Sequence, residues 1–377
     1  MALTSRQRAE AALEHRQPDR VPIDLNPLLD FYTNLKDYLK LDFEETIRYS
    51  AFMEVEPDPR VLKALGVDFV SVKLGSPTDR KKEPRPDGLV QDEWGVFYRY
   101  VTQTGGGRYL ECCHSPLANA SIDDLESYPW PVADLPGRGE GAERQAKCLF
   151  EDTDLALVGR FGGSLFETAQ FLIGFENWMT KLVTDPGFIG ALLDKLNPII
   201  LEMDRIGLQA AGRYLTIFKA SGEDLGGQNG PLYSPRVFNN ILLPRLQARW
   251  NQARVLLDEI NPQCKIMLHS CGSVRRDIPA MIAGGIQVLD PIQPRAAGMD
   301  SADLKRDFGA QLTFHGGVDI QQVLPFGTPQ DVEAEVRHRI AALGSGGGYI
   351  LCPSHFVQAD TPPANIVAMC QAAQRWG

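Results

Sequence analysis

His269 and Cys271 stand two residues apart in MLHSCGS, residues 267–273, directly after an apolar run. An imidazole nitrogen and a thiolate sulfur are ligands that zinc takes in a tetrahedral shell. The pair alone also reads as a buried cysteine beside a hydrogen-bonded histidine, so its meaning depends on what else meets it. CPSHF (352–356) offers Cys352 and His355, and SGEDLGGQ (221–228) offers Glu223 and Asp224. A catalytic zinc needs three protein ligands and a position left for substrate. His269, Cys271, His355 and a carboxylate such as Glu223 would meet that need.

Other stretches could bind substrate. GEDLGGQNGPLYSP (222–235) joins adjacent carboxylates to glycines that let a ligand approach the backbone, with Gln228 inside it and Ser234 as a helix cap. It lacks the G-x-x-x-x-G-K-[ST] pattern of a phosphate loop. In VGRFGGSLFETAQFLIGFENW (158–178), Arg160 ends an apolar run and GGS leads into a helix starting near Leu165. Glu167 falls in that helix's first turn, where dipole support and function are equal readings. HGGVD (315–319) sets His315 before two glycines that could form an anion nest. Cys112, Cys113 and His114 form a trio, but neighbours on a strand point to opposite faces, which argues against a shared metal.

Something must hold these groups together. Eight short apolar runs recur, at 21–25, 68–72, 155–160, 215–220, 265–270, 286–291, 311–317 and 348–353. Most alternate with segments of helical period, such as 234–260. Strands apolar on both faces suit a parallel sheet, and eight of them predict a (β/α)8 TIM barrel. The C-terminal ends of its strands would present Asp24, Lys73, Arg160, Glu223, Asp224, His269, Cys271, Asp290, His315, Cys352 and His355 at one mouth. Residues 74–150 break the rhythm and read as an antiparallel insertion turning at TGGG, which would cover the mouth or form a homodimer contact. One domain over residues 1–377 is expected. The first helix is expected to start at a Ser5 cap.

The chain has 377 residues, 44% hydrophobic, enough for a sizeable core without disulfide staples. A net charge of -10 argues against a general nucleic-acid binder. Seven irregularly spaced cysteines fit a reduced compartment. The charged N-terminal stretch reads as no signal peptide, and no apolar stretch reaches membrane-span length. The expected setting is the cytoplasm.

RAEAALEHRQPDRVPIDL (8–25), HSCGSV (269–274), FHGGVDIQQVLPFGTPQDVEAEV (314–336) and GGGYILCPSHFVQADTPPANIVAM (346–369) resemble the uroporphyrinogen decarboxylase superfamily in order and spacing. The resemblance runs over nearly the whole chain. It implies a (β/α)8 barrel and either of two activities: decarboxylation of a porphyrinogen or other polycarboxylate, or cobalamin-dependent methyl transfer with a corrinoid protein. The decarboxylases hold their substrate with an arginine-rich N-terminal segment, and DRVPIDLNPLLDFY (19–32) lacks that cluster. The methyltransferases resemble this chain in H-x-C, which carries zinc ligation over to His269 and Cys271. Their third ligand is usually a cysteine at the position of His355; Cys352 lies three residues earlier, and the choice between them stays open. The resemblance thus implies zinc, a corrinoid on a partner protein, since the chain has no D-x-H-x-x-G stretch of its own, and a methoxylated aromatic, phenol or thiol as substrate. Glu223, Asp224 and Arg160 are the candidate catalytic residues. Asp24, Glu167, Gln228, Asp290 and His315 are the candidates for holding the substrate.

Overall fold

Seven of the eight apolar runs become strands of one parallel sheet. The computed structural model describes residues 2–45, 47–49, 53–77, 87–102 and 107–377. Its strands are β1 (Arg48–Tyr49), β2 (Val55–Glu56), β3 (Phe69–Lys73), β4 (Val90–Gln91), β5 (Phe97–Thr102), β6 (Arg108–His114), β7 (Ala156–Arg160), β8 (Ile217–Gly222), β9 (Lys265–His269), β10 (Val288–Ile292), β11 (Thr313–Val318) and β12 (Tyr349–Pro353). The large sheet runs β3-β7-β8-β9-β10-β11-β12 and every recorded pairing in it is parallel. Strands β10, β11 and β12 are buried throughout, as both-face-covered parallel strands must be.

The eighth run lies between the two edges of this curled sheet. Ile23 makes a parallel bridge to Leu351. The Asp24 amide donates to Leu351 O at 2.9 Å, and the Leu351 amide donates to Pro22 O at 2.9 Å. On the other side the Asp68 amide donates to Ile23 O at 2.8 Å. The segment makes too few ladder bonds to form a full strand, yet it joins β12 to β3, giving a TIM-barrel-like architecture.

Inside the sheet, Phe69, Ala156, Val158, Ile217, Met267, Val288 and Ile350 form a core cluster with Ala9 and Leu13. The last two come from the helix Ser5–Leu13, which packs against β3, β7 and β12. Its cap is Thr4 rather than Ser5, in a capping box with Gln7. Residues 235–260 are helical behind the Ser234 cap, as the periodicity predicts, but the run includes a π-helical stretch, Phe238–Leu242, just ahead of Pro244. A wider turn there suits a residue that cannot donate to the preceding turn.

The break in rhythm after residue 74 is a three-stranded antiparallel sheet, β4-β5-β6. Most of the TGGG turn lies outside the described residues. Residues 138–152 behave differently from the stretch before them. The helix Arg138–Asp152 packs on β3 and β7 and on the long helix Pro186–Ala211. It is the crossover helix between two barrel strands, so the excursion from the barrel ends before it. No helix among the described residues is long and apolar enough to cross a membrane. All seven cysteines are free.

Candidate active site

The ends of strands β9 and β12, with β10 and β11 between them in the sheet, bring together the residues that could hold a metal. Ligand atoms of His269, Cys271 and His355 all lie within 4.8 Å of one another. His269 Nε2 is 3.5 Å from Cys271 Sγ, and the two imidazole rings are 6.0 Å apart. Gly272 follows for a steric reason. It has a φ of 78°, and a Cβ there would meet Gly226 O at 2.3 Å. The loop carrying Cys271 is thereby pressed against the loop carrying Asp224, whose Oδ1 accepts from the Cys271 amide at 3.1 Å.

Behind this group lies a chain of buried charges. Asp290 Oδ2 is 2.7 Å from His269 Nδ1 and accepts from Lys219 Nζ at 2.8 Å. Its Oδ1 is 2.7 Å from His315 Nδ1, and His315 Nε2 is 3.0 Å from Asp24 Oδ2. Burial works against ionising Asp290, but Lys219, His315 and His269 hold its carboxyl well below the usual range. Burial likewise opposes charge on His315, yet Asp290 and Asp24 push it up to about 9.

In front of the group is a cavity of about 560 Å³. Its floor includes Lys219, Asp224, His269 and His355, and its cover includes Trp94, Tyr98 and Tyr109 from the three-stranded sheet and the loop between β4 and β5. One side is charged. Glu54 Oε2 accepts from Arg160 Nη1 at 3.1 Å and from Lys73 Nζ at 3.3 Å. Burial opposes its ionisation, but the two cations hold Glu54 at about 2. Arg160 lies 5.9 Å from the Phe356 ring, which is 5.2 Å from the His355 ring. Glu167 opens onto the same space. Burial among protein groups and the nearby Asp224, Glu223 and Glu54 push its carboxyl up to about 8.

The structure sorts the sequence candidates. His269, Cys271 and His355 come together, with Asp224, Glu167 and Arg160 around the same cavity. Asp24, Asp290 and His315 lie behind the metal-capable group rather than in the cavity lining. Glu223 is directed elsewhere. Its carboxylate accepts from the Leu165 amide at 2.6 Å, the Phe166 amide at 2.8 Å and Ser164 Oγ at 3.0 Å. It therefore ties down the start of the helix Leu165–Ile173 and stands outside the His269 group; adjacency in sequence to Asp224 hides that the two carboxylates face different ways. Gln228 also lies outside the cavity lining, donating to Arg295 O at 2.6 Å. Gly316 does not open an anion nest: its added Cβ would meet Ile292 N at 2.9 Å, so it serves close strand packing. Cys112 and Cys113 lie on β6 with separate partners, Ser115 Oγ and Phe97 O. Lys219 and Glu54 carry no motif that marks them in the sequence. Lys219 sits in an apolar strand, and a charge there is the one signal that could have marked it.

Cys352 and His355 also separate. Cys352 is buried with Asp24 and His315 in a second group of ligand atoms, while His355 faces the cavity with the first.

The donor set of the first group suits zinc: two imidazoles and one thiol, with space in front. Burial and the neighbouring His269 lower His355 to about 4, which keeps a ligating lone pair available. Burial, with Asp224 and Asp290, pushes the Cys271 thiol well up, an excess of negative surroundings that a cation would offset.

The model of the uroporphyrinogen decarboxylase family matches residues 116–376. Curated relatives include uroporphyrinogen decarboxylases of Hamiltonella defensa, 24% identical over 232 residues, and Sodalis glossinidius, 25% identical over 225 residues. The matched part is 58% of this chain and 58% of each relative, so the chain spans under two thirds of the length of the curated relatives it matches. Among solved structures, a methyltransferase from Methanosarcina mazei superposes over 99% of both chains with a TM-score of 0.64 and 18% identity, a likeness of fold. With most of its length matched, this chain belongs to the uroporphyrinogen decarboxylase family.

Proposed function

We propose that the protein is a zinc-dependent methyltransferase that moves a methyl group between a corrinoid on a partner protein and a small substrate in the cavity. The observation that carries this reading is the His269, Cys271 and His355 group, whose two histidines line a partly aromatic cavity. Zinc held there would supply Lewis acidity that stabilises an anionic oxygen or sulfur as the methyl group leaves or arrives. The corrinoid would supply the cobalt that carries the methyl group.

The chain's own residues do the rest. Asp290 fixes the His269 ring through Nδ1 and leaves Nε2 facing the donor group. Asp224 holds the Cys271 backbone. Trp94, Tyr98, Phe161 and Phe356 line a space suited to an aromatic ring and exclude water from it. Glu167, protonated near neutral pH, can donate a hydrogen bond to a polar substituent, and the Arg160–Glu54 pair forms a polar wall for another. Histidine at position 355 in place of the thiolate usual in resembling methyltransferases leaves the shell one unit more positive. That favours a substrate ligating through oxygen, a methoxylated aromatic or its phenol, over a free thiol. The reading sets the protein in the cytoplasm beside its corrinoid partner.

The second reading is decarboxylation of a porphyrinogen or other polycarboxylate, which the curated relatives favour. Against it, Lys73, Arg160 and Lys219 in the cavity are each already paired with a carboxylate. The deciding experiment loads the purified chain with zinc and follows the spectrum of cob(I)alamin with methoxylated aromatics. Methylcobalamin formation that is lost in His355→Ala and slowed in His355→Cys is the expected result. Release of carbon dioxide from uroporphyrinogen, with no methyl transfer to any oxygen or sulfur substrate, would establish the second reading instead.

A further inference from the structure

Asp290 stands between two histidines in the same way. Its Oδ2 meets His269 Nδ1 at 2.7 Å and its Oδ1 meets His315 Nδ1 at 2.7 Å. Metal-binding histidines characteristically give their second nitrogen to a carboxylate, which fixes the ring and the tautomer. Each Nε2 in turn leads to a group of three ligand atoms. For His269 the others are Cys271 and His355; for His315 they are Asp24 and Cys352, again all within 4.8 Å of one another.

We propose that Asp24, His315 and Cys352 form a second zinc site, oriented by the same Asp290 carboxylate as the first. The site joins three parts of the barrel: the 21–25 segment, β11 and β12. Nitrogen, oxygen and sulfur donors together are the set that zinc takes at structural and catalytic sites. Asn26 Nδ2 is 3.6 Å from Cys352 Sγ, so the side-chain amide, turned end for end, would present its oxygen as a fourth donor. His315 and Cys352 are buried and the cavity lining excludes both, so this metal would be closed off from substrate and structural in role. Metal entering here displaces the proton now shared between His315 Nε2 and Asp24, and a second from Cys352.

The site is independent of which reaction the first group performs. The test titrates the metal-stripped full chain with zinc, then with cobalt(II), and repeats this for Cys271→Ser and Cys352→Ser. The wild-type chain is expected to bind about two equivalents of zinc, and each variant about one. Cobalt-loaded Cys271→Ser should retain a thiolate-to-cobalt absorption band, since Cys352 remains, and Cys352→Ser should retain a different one. Asp24→Asn, which leaves both thiols in place, should also bind about one equivalent and guards against a fold lost with Cys352. A wild-type chain that saturates at one equivalent, lost with Cys271 and untouched by Cys352→Ser and Asp24→Asn, would overturn the proposal. One equivalent lost only with Cys352 or Asp24 would support it and instead remove the metal from the proposed methyltransferase site.

Discussion

Asp290 and His269 meet with 2.7 Å between Oδ2 and Nδ1, on adjacent strands that pair these two residues directly in register. Sheet geometry, rather than a loop, thus sets the imidazole. An amide at position 290 presents one acceptor where the carboxylate presents two. Asp290→Asn should weaken zinc binding at the His269 group about 10- to 100-fold. Competition against a chromophoric chelator measures this, and an unchanged affinity would show that the carboxylate does not orient the ligand.

Glu167 sets a pH dependence. Burial and the neighbouring Asp224, Glu223 and Glu54 raise its carboxyl from the ordinary 4.5 to about 8. The folded chain therefore holds a proton there that the unfolded chain has released, and stability falls as pH rises from 4.5 through about 8. Substrate affinity should fall over the upper part of that window as the hydrogen-bond donor is lost. Glu167→Gln stays neutral throughout and should flatten both profiles. A binding limb near pH 8 that persists in Glu167→Gln belongs to some other group.

Glu223 separates support from ligation. Its three hydrogen bonds go to the start of the helix Leu165–Ile173, so Glu223→Gln should keep the zinc content of the wild type. It should cost about 1–2 kcal/mol of stability, since an amide replaces a charge-assisted acceptor at a helix N-terminus. Loss of a full equivalent of metal in a well-folded variant would restore Glu223 to the shell.

The pair Asp204 and Arg249 holds the two glycines of the loop that leads into the same helix. Both side chains are 1% exposed, with Nε to Oδ2 at 2.6 Å. Asp204 Oδ1 also accepts from the Gly162 amide, and Arg249 Nη1 donates to Gly163 O. Asp204→Ala leaves a buried guanidinium without its counter-charge and should lower stability by about 3–5 kcal/mol. Chemical denaturation reads this directly, and a loss below 1 kcal/mol would mean that water or another acid replaces the carboxylate.

The barrel was legible because its strands are buried on both faces and therefore read as unbroken apolar runs between amphipathic segments. The 21–25 run shows the limit of that signal: its composition matches the others, but few ladder bonds form there. His269, Cys271 and His355 could be brought together on paper because strand ends converge in any such barrel. Direction was less legible. Glu223 and Asp224 are neighbours with opposite tasks, and Gln228 sits in a glycine-rich loop that bends away from the cavity. Glu54 comes from a stretch with no periodicity to place it, although it neutralises two cations of the cavity wall. Sequence rhythm places the helix at 138–152 inside the insertion because breaks in rhythm mark where a pattern stops more clearly than where it resumes.

The segment that joins β12 to β3 is also the one that carries Asp24. With isolated bridges at Ile23 and again at Pro27 in place of a continuous ladder, it is the seam of an otherwise continuous wall. Amide hydrogens of Asp24, Leu351 and Asp68, which close that seam, should exchange with solvent ahead of those in β9 and β10. A metal gripping Asp24, His315 and Cys352 would act as a clasp across it, coupling the tightness of the cylinder to the supply of a trace element.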